Sequence, residues 1–322
     1  MATEQKIKIL AVVGPTASGK TAISVELAKR LGGEVVSCDS MQVYRRMNIG
    51  TAKPTEEEKC GIRHHLIDVV EPDAPFSCAE YVTMAGEAVK DISARGKLPI
   101  LCGGTGLYLD RFLCGEMEET HADESLRASL FAFAEQEGVE ALHARLREVD
   151  AESADAIHPN NVKRVIRALE IYEQTGISKS EFDRRSQTGE SPYEAMVIGL
   201  QYPRREMLYE RINRRVDIML ADGLMAETEA LSKEGVFDVN LTAAQAIGYK
   251  ELLGYLEGCE TLAEATEHLK TATRRYAKRQ LTWFSAKPYV TWVEMEKDGK
   301  LRSLDDVCEE IVARFQTEEE RA

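Results

Sequence analysis

Two regimes of hydrophobic patterning divide the chain. Ile7, Ile9, Leu10, Ala11, Val12 and Val13 make a nearly unbroken apolar run, the pattern of a strand covered on both faces, and it stops at Gly14. Ala22–Leu31 then alternates apolar and polar residues at helical spacing until Gly32 and Gly33 end it. The alternation continues with Glu34–Cys38 as a second short strand, Asp39 lying just past its carboxyl end, and Leu66–Val70 as a third strand. Ser77–Arg95 reads as a helix and Pro99–Cys102 as a fourth strand ahead of the glycine-rich Gly103–Gly106. Strands alternating with helices predict an α/β fold, a mostly parallel sheet flanked by helices. In such sheets the ligand crevice lies beyond the carboxyl ends of the strands, where Gly14, Asp39 and Gly103–Gly106 are expected to converge.

From about Glu119 to Glu194 the strand pattern is lost. Ser125–Gln136, Val139–Val149, Pro159–Thr175 and Lys179–Arg185 are charge-rich and helical in spacing. Val197–Leu200 resumes as a strand, and the chain beyond Arg204 is helical again until Val290–Val293. The expected organisation is an α/β core built from 1–118 and 195–316, a helical insertion at 119–194, and a frayed tail at 317–322.

Composition, at 43% hydrophobic and 30% charged residues, is that of a soluble globular protein. No apolar run approaches the roughly 20 residues of a membrane span. MATEQKIK lacks the apolar region of a signal peptide, so a cytoplasmic protein without membrane contact is expected. Seven cysteines are scattered singly with no CxxC pair, which favours reduced, buried thiols over a disulfide framework or a zinc site. His64 and His65 are adjacent, so they point to different sides of an element and form no ligand set.

The net charge of −14 argues against a nucleic-acid partner only as an average. Acids gather at Glu56–Glu58, Glu116–Glu119 and Glu318–Glu320, whereas 270–287 carries Lys270, Arg274, Arg275, Lys278, Arg279 and Lys287 without a carboxylate. Within it, TRRYAKRQLTWF interleaves basic residues with Tyr276, Trp283 and Phe284, which suits an RNA backbone with a splayed base. A charged surface helix anchored by core aromatics fits the pattern equally well.

The sharpest chemical signal is GPTASGKT at 14–21, which satisfies G-x-x-x-x-G-K-[ST] between a strand and a helix. Gly14, Pro15, Thr16, Ala17, Ser18 and Gly19 let the backbone close around an anion, Lys20 supplies a cation, and the Thr21 hydroxyl can ligate Mg²⁺. The motif implies a di- or triphosphate without naming its carrier. There is no N-K-x-D guanine motif, and the fourth strand ends in glycines rather than an aspartate. A small-molecule kinase stays open, with Asp39 as base, and so does a plain turn or N-cap role for Asp39. GGTG can be a tight turn, an approach surface with Thr105 beside Asp39, or both. Arg211 and Arg215, one helical turn apart, are spaced to clamp phosphate oxygens, although solvated surface arginines show the same spacing.

Together these residues resemble the tRNA dimethylallyltransferase (tRNA isopentenyltransferase) family. The resemblance runs through GPTASGKT, DSMQVYRRMNIGTAKP at 39–54, HHLIDVVEPDAPFS at 64–77, GGTGLYL at 103–109, HPNNVKRVIRALE at 158–170, QAIGYKE at 245–251 and TRRYAKRQLTWF at 273–284. Asn48 departs from the aspartate expected in MDIGTAKP, and no zinc module follows the core, as in bacterial members. The resemblance implies a P-loop NTPase-like core. It implies transfer of a dimethylallyl group from dimethylallyl diphosphate to the N6 amine of the adenosine 3′ of the anticodon, with Mg²⁺, by a monomer.

On this resemblance Asp39, Lys20 and Thr105 are catalytic, and Arg211 and Arg215 join the loop in holding diphosphate. It also implies tRNA contacts from Asp39, Ser40, Met41, Gln42, Thr105 and Arg127. Further contacts are implied from Lys163, Arg164, Val165, Ile166 and Arg167, and from Gln245, Ala246, Ile247, Gly248, Tyr249 and Lys250. The last group is Lys278, Arg279, Gln280, Leu281, Thr282, Trp283, Phe284 and Ser285. The alternatives are an adenylate isopentenyltransferase acting on free nucleotide, a P-loop kinase, and a nucleotide-gated RNA-binding module without catalysis.

Overall fold

A computed structural model describes residues 6–115, 123–185 and 190–319. In chain order these form β1 (Ile7–Val13), α1 (Lys20–Leu31), β2 (Gly33–Cys38), α2 (Glu56–Lys59), β3 (His64–His65), α3 (Cys78–Ala94), β4 (Leu98–Gly103) and α4 (Gly106–Cys114). Then come α5 (Glu124–Glu137), α6 (Val139–Val149), α7 (Ala151–Ala156), α8 (Val162–Thr175) and α9 (Lys179–Arg185). β5 (Tyr193–Gln201) precedes α10 (Arg205–Ala221), α11 (Leu224–Lys233), α12 (Val236–Val239), α13 (Leu241–Ala244), α14 (Lys250–Leu256) and α15 (Leu262–Ser285). β6 (Val290–Glu294), β7 (Glu296–Lys297), β8 (Lys300–Leu301) and α16 (Leu304–Glu319) complete the described chain.

Six strands make one sheet in the order β3-β2-β4-β1-β5-β6, every pairing parallel. Leu10, Val12, Ile100, Ile198 and Leu200 of its central strands pack with Ile23 and Leu27 of α1, Leu208 and Ile212 of α10, and Val307 and Ile311 of α16. This two-sided burial is what the nearly unbroken apolar run at 7–13 encodes. Capping boxes start the helices with loop approaches: Thr55 before α2, Ser77 before α3 and Thr261 before α15 each bond the N3 amide and receive the N3 glutamate in return.

The third strand differs from expectation. Only His64–His65 pairs with β2, and Leu66 and Asp68 take φ of 61° and 58°, left-handed values that no strand tolerates. Val70 instead bridges Tyr44, and its carbonyl accepts from Arg45 N, so 66–70 folds as a loop against 41–45. The adjacent histidines diverge as expected: His64 bonds the Ile62 carbonyl, and His65 reaches Glu34. The cysteines form no disulfide; Cys38 and Cys308 are buried as expected, Cys78, Cys102 and Cys114 are half-buried, and Cys60 and Cys259 are exposed.

The chain divides into two compact units, Met1–Leu113 with Pro192–Ala322, and Cys114–Ser191. The smaller is all-helical among its described residues, with Leu130, Leu142, Leu146, Val165, Ile166 and Leu169 at its centre. It contains α7, absent from the expected pattern and capped by Asp150, whose Oδ1 accepts from Ser153 N. α8 starts at Val162 rather than Pro159. The expected boundary at 118/119 and Glu116–Glu119 include residues outside the described set, whereas β5 opens at Tyr193, two residues before the expected return of the core. The tail expected to fray is helical through Glu319; 320–322 lie outside the described residues.

One polar cluster pins the sheet's outer half. The buried Glu34 carboxylate accepts a bidentate pair from Arg95 (2.6 and 2.7 Å), a bond from Lys97 (2.8 Å), and a contact with His65. The Arg95 guanidinium, ahead of the opposing cost of burial, holds the carboxyl well below its usual 4.5. A lowered folded-state pKa means the stabilisation is complete above about 4.5 and fades as pH falls below it. Glu34→Gln is therefore expected to cost about 1–3 kcal/mol at neutral pH. Denaturant melts from pH 7 to 3 should show the gap between wild type and variant closing below about 4.5.

Candidate active site

Strand register assembles the site. Val13 of β1 and Cys38 of β2 are both register partners of Gly103 in β4, so the three strands end level and the next residues, Gly14, Asp39 and Gly104, emerge side by side. The approach is closer than side chains permit. A Cβ on Gly103 would lie 1.9 Å from the Cys38 carbonyl oxygen, and one on Gly104 would lie 2.0 Å from Gln280 Nε2. Thr105 closes the turn by donating its N–H to the Cys38 carbonyl (3.2 Å), while its hydroxyl oxygen accepts from Ser40 N (3.1 Å). GGTG is thus a tight turn whose close approaches are to the Cys38 backbone and the Gln280 side chain.

The 14–21 loop has the curvature its motif requires. Gly14, Ala17 and Gly19 all have positive φ (143°, 62° and 96°), and Gly19 caps the N-terminus of α1. Lys20 Nζ donates to the Gly14 and Pro15 carbonyls at 3.1 and 2.8 Å. Burial lowers its pKa to about 8, with Arg215 adding to the effect and Asp39 opposing it. Arg211 Nε donates to the Ala17 carbonyl (2.9 Å) and so braces the loop from α10, whereas Arg215 lines the cavity next to it. Tyr202 adds a second brace through its hydroxyl to the Ser18 carbonyl (3.1 Å). Thr21, the second residue of α1, offers one hydroxyl at the helix N-terminus. Among the described residues no group of three or more His, Cys, Asp or Glu could hold a metal unaided. A single hydroxyl beside the phosphate loop fits the kind of ion, Mg²⁺ among them, that takes one or two protein ligands and completes its shell with phosphate and water.

Asp39 makes the turn its position suggests, Oδ1 accepting from Met41 N (2.9 Å) and Gln42 N (3.4 Å), and also lines the cavity. The cavity is about 500 Å³ and is bounded by Thr16, Ser40, Met41, Gly50–Ala52, Arg215, 245–248, Lys250, Arg275, Tyr276 and Arg279. Ile212, Val216, Met219, Leu269 and Ala272 give it an aliphatic wall. Sequence reasoning misses that wall, although Ile212, Val216 and Met219 recur at helical spacing next to the arginines. Tyr276, which its sequence context marks only as a packing or stacking residue, faces the acceptor turns. Burial, then the Asp39 charge, raises its hydroxyl pKa, and a hydrogen bond to Thr105 opposes the rise. Glu227, also missed, accepts from the amides of Asn48, Ile49 and Gly50 (2.9–3.0 Å) and from the Tyr249 hydroxyl (2.7 Å), fixing the 48–50 wall. Asn48 Oδ1 accepts from Lys53 Nζ (3.0 Å), a bond an aspartate would also make.

Several residues expected to touch tRNA face inward. Val165 and Ile166 are core residues of the helical unit, and Ala246, Gly248, Tyr249, Gln280 and Phe284 are buried. Each lies within a segment expected to contact tRNA, but helical or turn periodicity aims its side chain at the core. Gln280 spends its amide on Thr16 N and the Gly104 carbonyl, and Tyr249 packs against Gly50. Arg127 and Arg167 both engage the fully buried Glu170 in the helical unit, whereas Lys163 and Arg164 are exposed. On α15, Arg274 bonds Asn213 (2.6 Å) and Lys270 pairs with Asp217 (2.7 Å); beyond the helix Lys287 pairs with Asp110 (2.6 Å). Arg275, Lys278, Arg279, Thr282, Trp283 and Ser285 are at least partly exposed, as are Gln245 and Lys250, while Leu281 and Ile247 are half-buried.

A phosphate-binding loop, a carboxylate and an aliphatic wall meeting in one cavity on a parallel sheet define a P-loop-type transferase. The IPP transferase family model matches residues 42–287. The tRNA dimethylallyltransferase of Halalkalibacterium halodurans is 51% identical over 291 residues, 90% of this chain and 92% of that protein. The full-length tRNA isopentenylpyrophosphate transferase of Bacillus halodurans aligns in structure with TM-score 0.70 at 47% identity, covering 98% of this chain and 99% of that one. Crystallographic snapshots of a eukaryotic dimethylallyltransferase acting on tRNA give TM-score 0.75 at 31% identity over 89% of this chain and 73% of that one. The chain belongs to the IPP transferase family.

Lys20 sets a pH dependence. Its ammonium loses its proton near pH 8, so affinity for an alkyl diphosphate, which is fully ionised on both sides of that pH, should weaken as pH rises through about 8. The limit is about tenfold per pH unit. Calorimetric titrations from pH 7 to 10 should show this step in wild type and none in Lys20→Met.

Proposed function

We propose that this transferase moves the dimethylallyl group of dimethylallyl diphosphate to the N6 amine of the adenosine immediately 3′ of the anticodon, in tRNAs reading codons that begin with U, releasing pyrophosphate. It acts as a cytoplasmic monomer. The observation that carries the reading is that one cavity joins the anion cradle at Thr16, the Asp39 carboxylate and the aliphatic wall of Ile212, Val216 and Met219. A wall of that kind suits a short hydrocarbon chain carried on the diphosphate. Among the described residues no helix is long and apolar enough to cross a membrane.

The loop amides and the α1 N-terminus hold the diphosphate, with Lys20 and Arg215 supplying charge where the leaving oxygen becomes anionic. Thr21 would hold Mg²⁺, which when bound would supply positive charge to offset the negative charge developing on the leaving group. The N6 lone pair attacks C1 of the prenyl chain, the C1–O bond breaks, and pyrophosphate departs. Asp39 takes the proton from N6 through the carboxylate oxygen that the Met41 amide does not hold. Thr105, anchored to Ser40 N, orients the acceptor beside that carboxylate. Adenine's amine is a weak nucleophile, so alignment contributes much of the rate. The target base leaves the anticodon stack to reach the cavity, and exposed Arg275, Lys278 and Arg279 position the RNA backbone.

Mass spectrometry of nucleosides from unmodified tRNA incubated with protein, Mg²⁺ and dimethylallyl diphosphate, with AMP as competitor and no ATP, tests the reading. A dimethylallyl gain on tRNA adenosine is expected, and gain only on AMP overturns it. Asp39→Asn should cut kcat by about 10²–10⁴-fold while tRNA affinity stays within about threefold, checked by filter binding. Replacing Lys278 and Arg279 by Gln should weaken tRNA binding and flatten its salt slope by about 0.7–0.9 for each phosphate left without a cation.

A further inference from the structure

Gln280 bridges two loops that leave the neighbouring strands β1 and β4 just beyond their last paired residues, Val13 and Gly103. It sits near the carboxyl end of α15 and is only 5% exposed. Its side-chain amide is used in both directions: Oε1 accepts from Thr16 N in the phosphate loop (2.8 Å), and Nε2 donates to the Gly104 carbonyl (3.0 Å). The Gly104 turn accommodates it only because it lacks a side chain there, since a Cβ would sit 2.0 Å from Nε2. One turn of chain further, Trp283 covers Gly106 in the same manner, at 2.3 Å from a virtual Cβ. The residue between those glycines is Thr105, bonded through its N–H to the Cys38 carbonyl and through its hydroxyl to Ser40 N, on either side of Asp39.

We propose that Gln280 is a positioning residue that fixes the distance between the diphosphate cradle and the acceptor site formed by Asp39 and Thr105. The inference rests on the function proposed above, in which one end of the reacting pair is held by the 14–21 loop and the other by the 39–40 and 104–105 turns. Attack on C1 requires the amine nitrogen about 3–3.5 Å away and in line with the departing oxygen, so the spacing of the two loops is a kinetic variable. A planar amide with one donor and one acceptor spans that gap at a single length. Glutamate keeps the acceptor for Thr16 N but faces the Gly104 carbonyl with no donor, leucine matches the size and makes neither bond, and asparagine falls one methylene short.

The test compares wild type with Gln280→Leu, Gln280→Glu and Gln280→Asn, measuring tRNA modification and pyrophosphate release in the same reactions. A change of spacing is expected to lower kcat by about 10²-fold with KM for tRNA within about threefold, while the melting temperature, though lowered, stays above the assay temperature. It also lets water replace the amine: water attacks C1, the C1–O bond breaks, and dimethylallyl alcohol, pyrophosphate and a proton result. Pyrophosphate should therefore exceed modified tRNA in the variants and match it in wild type, a ratio that a smaller folded fraction cannot change. Amide exchange, which needs no turnover, should quicken at both 14–21 and 103–106 in Gln280→Leu. Unchanged exchange in both segments, or a kcat that falls only with the folded fraction at a pyrophosphate-to-product ratio of one, overturns the proposal. Failure of wild type to modify tRNA counts against the proposed function alone, and exchange still decides whether Gln280 ties the loops.

Discussion

The site depends on how closely the end of β4 approaches its neighbours. Gly103 is paired with Val13 on one side and Cys38 on the other, and its missing Cβ would overlap the Cys38 carbonyl at 1.9 Å. With any other residue there the strands would have to separate, and the phosphate loop, the Asp39 turn and the Thr105 turn would no longer leave the sheet at one level. Parallel sheets place ligands beyond their carboxyl ends for topological reasons; here the glycines narrow that crevice to the scale of a reacting pair.

Around this constraint the remaining parts act as braces of different chemistry. Arg211 and Tyr202 hold loop carbonyls from the β5 side, at Ala17 and Ser18. On the far side Glu227 gathers three successive amides and the Tyr249 hydroxyl, and Gln42 continues the network by donating to the Thr51 and Ala52 carbonyls while its own amide meets Asp39. The cavity wall between these braces is aliphatic at Ile212, Val216 and Met219, with Arg215, Lys250, Arg275, Arg279 and the Asp39 carboxylate around it. A protein of net charge −14 thus keeps cations where a diphosphate needs them and on one exposed stretch of α15.

Much of this is legible in the sequence because it is local. The apolar run at 7–13, the loop after it and the glycines at 103–106 announce strand, cradle and turn within a few residues of one another. Leu66–Val70 looks like a strand and is a loop because its valines are covered by the cluster around Tyr44 and Tyr249 rather than by a sheet, a distinction that composition does not carry. Carrying whole segments over as tRNA contacts fails at Val165, Ile166, Tyr249 and Phe284, where the helix or turn directs those side chains inward. Glu227 leaves no signal, and Gln280 is marked only as an implied tRNA contact and not as a tie between loops, since each acts through backbone groups far away in the chain that only folding brings near.

The central claim is that one cavity holds the diphosphate on the 14–21 loop with the prenyl carbon turned to Asp39. A crystal structure with the unreactive thiolo analogue of dimethylallyl diphosphate tests it most directly. The account predicts phosphate oxygens on the loop amides, Lys20 and Arg215, and the five-carbon chain against Ile212, Val216 and Met219 with C1 facing the carboxylate. Diphosphate bound away from the loop, or a chain directed away from Asp39, would contradict it.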